Sequence, residues 1–166
     1  MQYDHEKLSL HYRHEVFLQD IEHITDIVNS TRFFYSYEIL IALELIEERL
    51  TKGTQSGYWF IFAELAGNVV AYSCYGEIPC TRGSFDLYWI VTHQNYQGRG
   101  IGKQLLQETE TTIRHVGGRT IYVETASREQ YTSTRHFYEG CHYVKEAQLK
   151  DFYDIGDDKV IYVKRL

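Results

Sequence analysis

Three glycines at alternate positions, Gly98, Gly100 and Gly102, follow an apolar segment and a polar turn, and they open a stretch with the apolar spacing of an amphipathic helix. Such glycines remove side chains from a helix start, where the first four backbone N–H groups have no partner within the helix. These donors and the positive end of the helix macrodipole form an anion site that suits a diphosphate. Arg99 and Lys103 add positive charge at the same end. The segment therefore predicts a phosphate-binding loop.

The residue spacing separates three kinds of phosphate loop. A Walker loop needs Ser or Thr directly after Gly-Lys to hold magnesium, but Gln104 follows Lys103. A dinucleotide-binding fingerprint needs a glycine three residues after its second glycine, and that position is Lys103 here. The pattern that remains is Gln-x-x-Gly-x-Gly, formed by Gln97, Gly100 and Gly102. A glycine-rich turn without a ligand is the structural alternative.

The order of elements and two separated motifs resemble the GNAT family of N-acetyltransferases over nearly the whole chain. The loop is similar to that family's coenzyme A pyrophosphate loop. The second motif, residues 137–143 (Phe-Tyr-Glu-Gly-Cys-His-Tyr), is similar to the family's Phe-Tyr-Glu-x-x-Gly-Phe block. Two positions depart from the family pattern. His142 stands where glycine is usual, so a different turn shape is expected there, and Thr92 stands where Val is most frequent.

The resemblance implies a role for individual residues, with acetyl-CoA as the acyl-donor cosubstrate. Tyr138 is expected to protonate the departing thiolate as general acid, and Glu124 to accept the proton of the amine as general base. Asp86, Tyr88, Glu77 or ordered water remain alternatives for the base. A backbone N–H of the strand before the loop is expected to stabilise the oxyanion. The implied cofactor-binding residues are Ile90, Val91, Thr92, Gln97, Gly98, Arg99, Gly100, Ile101, Gly102 and Lys103.

In members of the family the acceptor lies between the first helix pair and the loop joining the last two strands. Phe33, Tyr35, Phe152 and Tyr153 occupy those segments here and are expected to line the acceptor pocket. Aromatic rings flanked by acids could hold a cation by cation–π and charge attraction. The Gly-Asp-Asp sequence that follows Tyr153 is equally typical of an ordinary hairpin turn.

Composition narrows the class of protein. The 166 residues predict a single domain, 1–166, with a substantial core. The net charge is −6 without a basic cluster, so nucleic acid is not expected as a partner. No apolar run approaches the roughly 18 residues of a membrane span, and the polar residues 1–7 lack a signal-peptide core, so a cytoplasmic protein is expected. Three cysteines and eight histidines show no metal-ligand spacing, and no metal is expected.

The pattern along the chain predicts a mixed α/β (α+β) fold, with a mostly antiparallel sheet of six to seven strands and helices on both faces. Ser36 is the expected N-cap of the second helix. Strands are expected near residues 8–17, 58–65, 69–75, 85–92, 120–125, 143–149 and 159–164, and helices near 20–29, 39–50, 100–115 and 130–139.

The predicted function is acetyl-CoA-dependent N-acetyl transfer to a primary amine of a small molecule or peptide, by direct attack in a ternary complex. A non-catalytic acyl-CoA-binding sensor or interaction domain is the alternative. A homodimer is left open as a partner. The sequence does not identify the acceptor amine, because one cofactor-binding fold can carry different acceptor sites around the same cofactor.

Overall fold

The computed structural model describes residues 9–166. The hydrogen-bonded strand order is β1-β2-β3-β4-β5-β7-β6, in which β4 and β5 are parallel. The predicted mixed fold with a seven-stranded, mostly antiparallel sheet is thereby confirmed. The strands are β1 (Leu10–Arg13), β2 (Trp59–Leu65), β3 (Asn68–Glu77), β4 (Ser84–Thr92), β5 (Thr120–Ala126), β6 (Val144–Asp154) and β7 (Asp157–Arg165), and the α-helices are α1 (Asp20–Ser30), α2 (Ser36–Lys52), α3 (Ile101–His115) and α4 (Thr132–Gly140).

Most element boundaries differ from the expected ones by a few residues. The first strand is shorter than residues 8–17, and the part of that expectation at Leu8, like the polar segment 1–7, lies outside the described residues. The expectation that Ser36 caps the second helix is wrong. Tyr35 is the N-cap, and its backbone N–H donates to the Glu38 carboxylate at 2.7 Å. That bond satisfies an N–H at the helix start, so the helix begins earlier than its apolar spacing indicates.

The largest difference concerns the last two strands. The segment after Leu149 is a loop in the sequence interpretation, but β6 continues to Asp154. Asp154 pairs with Asp157, which leaves a two-residue turn between the strands. Phe152 and Tyr153 therefore lie on a strand next to a tight hairpin turn.

Two compact units can be distinguished in the chain. Unit 1 comprises the described residues up to Cys74 together with Trp89–Leu106, and unit 2 comprises Tyr75–Tyr88 and Gln107–Leu166. The single domain over residues 1–166 stays a prediction. No helix within residues 9–166 is long and apolar enough to cross a membrane.

Unit 1 buries the apolar stripes of α1 and α2 against aromatic strand residues. The spacing of three, four and seven residues along these helices places such stripes on one face. The buried cluster consists of Ile24, Ile27, Val28, Ala42, Ile46, Phe60, Phe62, Tyr72, Cys74 and Val91.

A buried ion pair connects β1 with α1 and β2 in unit 1. The two Arg13 Nη atoms donate to the two Asp20 carboxylate oxygens at 2.9 and 2.8 Å, and Nε donates to Glu64 at 2.7 Å. Burial by itself would raise the pKa of Asp20. Hydrogen bonds from Arg13, the Phe17 N–H and His23 outweigh that effect, and the pKa of Asp20 is lowered overall. Asp20 thus stays ionised where α1 begins.

Unit 2 is organised around β5. The strand pairs with β4 in a parallel ladder from Ser84–Thr120 to Asp86–Tyr122, and with β7 in an antiparallel ladder of seven pairs. Gly118 precedes β5, and a Cβ there would lie 2.2 Å from Ile113. This close approach requires glycine where α3 turns into the strand.

Candidate functional site

The glycine loop of unit 1 joins β4 to α3. Gly98 and Gly100 have φ angles of +74° and +77°, the left-handed region in which only glycine is unstrained. The Gln97 side-chain amide donates to the Thr92 carbonyl at 3.1 Å and closes the loop onto the end of β4. The Gly100 carbonyl accepts from the Gln104 N–H at 3.1 Å, which makes Gly100 the N-cap of α3. The motif glycines and glutamine are therefore the residues that shape this loop.

The start of α3 has the properties of an anion site. The N–H groups of Ile101, Gly102 and Lys103 have no acceptor within the helix, because they belong to its first turn. That turn contains no acidic residue. A Cβ added at Gly98 or Gly100 would meet no heavy atom within 4 Å among the described residues, chain neighbours aside. The loop therefore presents bare backbone and unopposed N–H dipoles, which suits a diphosphate.

The charged side chains of the loop are less constrained. Arg99 is exposed and its guanidinium lies 5.4 Å from the centroid of the Tyr96 ring. Lys103 is exposed on the first turn of α3. Both cations are thus accessible from solvent, and their role in binding the anion stays a prediction.

The end of β4 leads directly into this loop. Val91 is buried, whereas Ile90 and Thr92 are partly exposed. The His93 N–H donates to the Val70 carbonyl at 2.9 Å, which ties the beginning of the loop to β3. The oxyanion donor expected among residues 90–92 stays a prediction.

The aromatic residues between α1 and α2 form ring contacts within unit 1. Phe33 meets Phe34 edge to face at 5.1 Å, and Phe34 packs at 4.9 Å on Trp89 of β4. Tyr35 stacks on Tyr37 at 5.5 Å and is 45% exposed. Phe33 and Tyr35 are thus held by neighbouring rings, and their predicted part in acceptor binding is untested by these contacts.

Tyr138, the predicted general acid, lies on α4 in a cluster of aromatic rings in unit 2. Its ring is 5.5 Å from Tyr143 and 6.1 Å from Tyr162, measured between centroids, and it is 5% exposed. Burial raises the pKa of Tyr138. The phenol is therefore protonated at neutral pH and can serve as a proton donor.

The turn after α4 keeps the geometry that glycine would allow, although His142 occupies the position. The Tyr143 N–H donates to the Tyr138 carbonyl and the His142 N–H to the Glu139 carbonyl, both at 3.0 Å. This pair of bonds is the Schellman motif. His142 has a φ of +67°, so a histidine occupies the left-handed position that glycine favours, and it is strained there. A difference in shape from the turn of other family members stays a prediction.

We expect the His142→Gly variant to unfold at a higher temperature. A non-glycine residue in the left-handed region costs roughly 1–2 kcal/mol, and glycine would remove that cost. The matched control is Gly117→Ala, which places a side chain at another left-handed position of unit 2 (φ +89°) without a heavy atom within 4 Å among the described residues. It should shift the midpoint of thermal unfolding downward by a similar amount. A lower midpoint for His142→Gly would contradict this account of the turn.

The structure brings Glu124, Phe152 and Tyr153 together, and a fourth residue joins them. Glu124 Oε2 lies 2.5 Å from Lys159 Nζ. The same Nζ lies 3.8 Å from the ring centroid of Phe152 and 5.8 Å from that of Tyr153. Sequence reasoning missed Lys159. Lys159 is the first residue of the strand expected at 159–164, and that position was the available signal. Using it would have required the register in which this strand pairs with the strand at 120–125.

Two carboxylates share the sheet face of this cluster. Asp86 is the Cα partner of Tyr122 across β4 and β5, and Glu124 is two residues further on, so Asp86 and Glu124 point to the same face. Burial raises the pKa of Asp86, and the charge of Glu124 raises it further, against the opposing effect of Lys159. Asp86, an alternative base in the sequence analysis, thus lies close to Glu124. The other two alternatives, Tyr88 and Glu77, are both exposed.

The acids around the aromatic pair stabilise the hairpin itself. Asp151 Oδ1 accepts from the Gly156 N–H at 2.8 Å, and Asp158 Oδ1 accepts from the Asp151 N–H at 2.9 Å. Asp157 pairs with Arg128 at 2.9 Å. Glu124 on β5, rather than these flanking acids, is consequently the carboxylate that contacts the cation at the rings.

Comparison with known proteins gives the family of the chain. The model of the Acetyltransferase (GNAT) family matches residues 21–143, and the chain belongs to that family. No curated protein matches the sequence significantly. Within the described residues 9–166 no group of three or more His, Cys, Asp or Glu side chains could hold a metal ion.

Three solved structures illustrate the similarity. A GNAT-family protein of Desulfovibrio desulfuricans is 40% identical, with a TM-score of 0.92, over 95% of this chain and 99% of that one. The ribosomal-protein-S18-alanine N-acetyltransferase of Escherichia coli is 15% identical (TM-score 0.71; 94% and 93% covered). A Salmonella typhimurium protein solved with its cofactor acetyl-CoA is 18% identical (TM-score 0.71; 95% and 94% covered). The last two show a shared fold.

Proposed function

We propose that the protein transfers the acetyl group of acetyl-CoA to a primary amine of a small molecule or peptide, by direct attack in a ternary complex. The start of α3 is the observation that carries the proposal. Its two left-handed glycines, its unopposed N–H groups and the Gln97 bond that closes the loop fit a pyrophosphate. Residues 97–103 would hold that group, and the end of β4 would supply a backbone N–H to the reacting carbonyl.

Residues of unit 2 would move the protons. When bound, acetyl-CoA supplies an activated acetyl thioester. The Tyr138 hydroxyl, which is protonated at neutral pH like any ordinary phenol, would donate a proton to the departing sulfur. Glu124 would accept the proton of the attacking amine directly or through water, with the half-buried Asp86 on the same face as the alternative acceptor. Phe152 and Tyr153, each about half exposed, offer ring surface to an amine, and Phe33 and Tyr35 remain proposed acceptor contacts.

Release of free thiol from acetyl-CoA in the presence of a panel of amines tests the proposal. We expect release with at least one primary amine, together with the acetylated product by mass spectrometry. The matched control is the tertiary dimethyl analogue of that amine, which cannot yield a neutral amide and should give only background release. Acetyl-CoA binding by calorimetry without thiol release across the panel would contradict the proposal and favour the sensor alternative.

A further inference from the structure

The contacts of Lys159 form a complete binding site for an ammonium ion. The rings of Phe152 and Tyr153 stand nearly perpendicular, with an interplanar angle of 83° and centroids 5.0 Å apart. The Lys159 ammonium lies against the Phe152 ring on one side and against the Glu124 carboxylate on the other. Aromatic faces combined with a carboxylate are the chemistry by which proteins recognise ammonium groups. We call these three partners, Glu124, Phe152 and Tyr153, the ammonium cage.

The position of Lys159 in the sheet holds it in the cage. Lys159 pairs with Ala126 of β5 on one side and with Leu149 of β6 on the other. Its side chain is 13% exposed, whereas that of Glu124 is 50% exposed. A lysine that is paired on both sides by strands and covered by a ring differs from a mobile surface lysine. The cation is thus built into the site.

The two carboxylates on this sheet face are balanced by a single lysine, so the face can bind one more cation. Glu124 is neutralised by Lys159 at 2.5 Å. Within residues 9–166 the Asp86 carboxylate accepts no hydrogen bond from a cationic side chain, and it is half-buried on the same face as Glu124. An acceptor ammonium group can therefore be received by Asp86, because the cage already holds the Lys159 ammonium, and the exposed parts of the two rings remain available to the rest of the amine.

We propose that Lys159 determines the charge of the acceptor by filling the ammonium cage from within. An amine with a single positive charge binds at Asp86 without needing the cage. A diamine would bring a second ammonium group, which must compete with a lysine tethered in place, and it is therefore disfavoured. The selectivity part of this proposal rests on the proposed acetyl transfer; the occupied cage does not.

The cage itself can be tested without acetyl-CoA. Tetramethylammonium is the probe, and its binding is followed by NMR through the ring signals of Phe152 and Tyr153. We expect Lys159→Ala to bind it at least about tenfold more tightly than the unmodified protein, and Phe152→Leu added to Lys159→Ala to abolish the gain. Lys159→Arg keeps a cation in the cage and should behave like the unmodified protein. Equal affinity in Lys159→Ala and the unmodified protein would overturn the proposal.

Kinetics test the selectivity. The ratio of kcat/KM for a diamine to that for the monoamine of equal chain length should rise about tenfold or more in Lys159→Ala and stay unchanged in Lys159→Arg. An unchanged ratio in Lys159→Ala would overturn the selectivity part. Failure of the proposed function would differ from both outcomes, because no amine would then release thiol while the tetramethylammonium titration would still report on the cage.

Discussion

Replacing Tyr138 with phenylalanine is expected to lower kcat for acetyl transfer by about 10²- to 10⁴-fold, the usual contribution of a general acid. The substitution removes the hydroxyl and leaves the ring, whose packing against Tyr143 and Tyr162 should be preserved. A group that acts in the transition state contributes equally to kcat and kcat/KM, so both should fall together. Steady-state kinetics with the best amine, and acetyl-CoA affinity by calorimetry, provide the measurement.

Tyr162→Phe is the matched control for this prediction. Tyr162 belongs to the same ring cluster, but its hydroxyl donates to Glu139 at 2.7 Å, and burial with this bond raises its pKa to about 12. Its removal should change stability more than turnover. Turnover of Tyr138→Phe equal to that of the unmodified protein would show that Tyr138 has a packing role and that another group protonates the thiolate.

The Gly100→Val variant is expected to lose acetyl-CoA binding, measured by calorimetry. Gly100 caps α3 and presents open space at the place where a Cβ would project. A branched side chain there would cover the N–H groups of the first helical turn, which the pyrophosphate needs. Because Gly100 is left-handed, the substitution also strains the backbone.

Gly67→Val separates the loss of binding from the loss of stability. Gly67 lies in the β2–β3 turn of the same unit, has a φ of +81°, and likewise has no heavy atom within 4 Å of an added Cβ among the described residues. Both variants should therefore lose similar stability, but Gly67→Val should bind acetyl-CoA normally. Unchanged affinity in folded Gly100→Val protein would remove the basis for the cofactor assignment.

The sequence alone predicted the features that depend on neighbouring residues. The spacing of Gln97, Gly100 and Gly102 indicated a loop that opens a helix, and in the structure Gln97 bonds to Thr92 while Gly100 caps α3. Left-handed φ angles and N-terminal amides act over a few residues, so spacing is sufficient to find them. The alternation of apolar residues likewise predicted individual strands, because the pleat repeats every two residues, and the order of helices and strands predicted a mixed sheet.

The tertiary structure decided what depends on register between distant segments. Lys159 meets Glu124 because β5 and β7 pair so that Ala126 faces Lys159. A slip of one residue would have placed Lys159 on the other face, and the sequence contains no local sign of that choice. Strand pairing also selected the hairpin turn that the sequence had left open as an alternative, since Asp154 pairs with Asp157. Local backbone geometry could therefore be predicted from residue types and spacing, whereas the pairing of the Lys159 ammonium with the Glu124 carboxylate depended on how the strands pair.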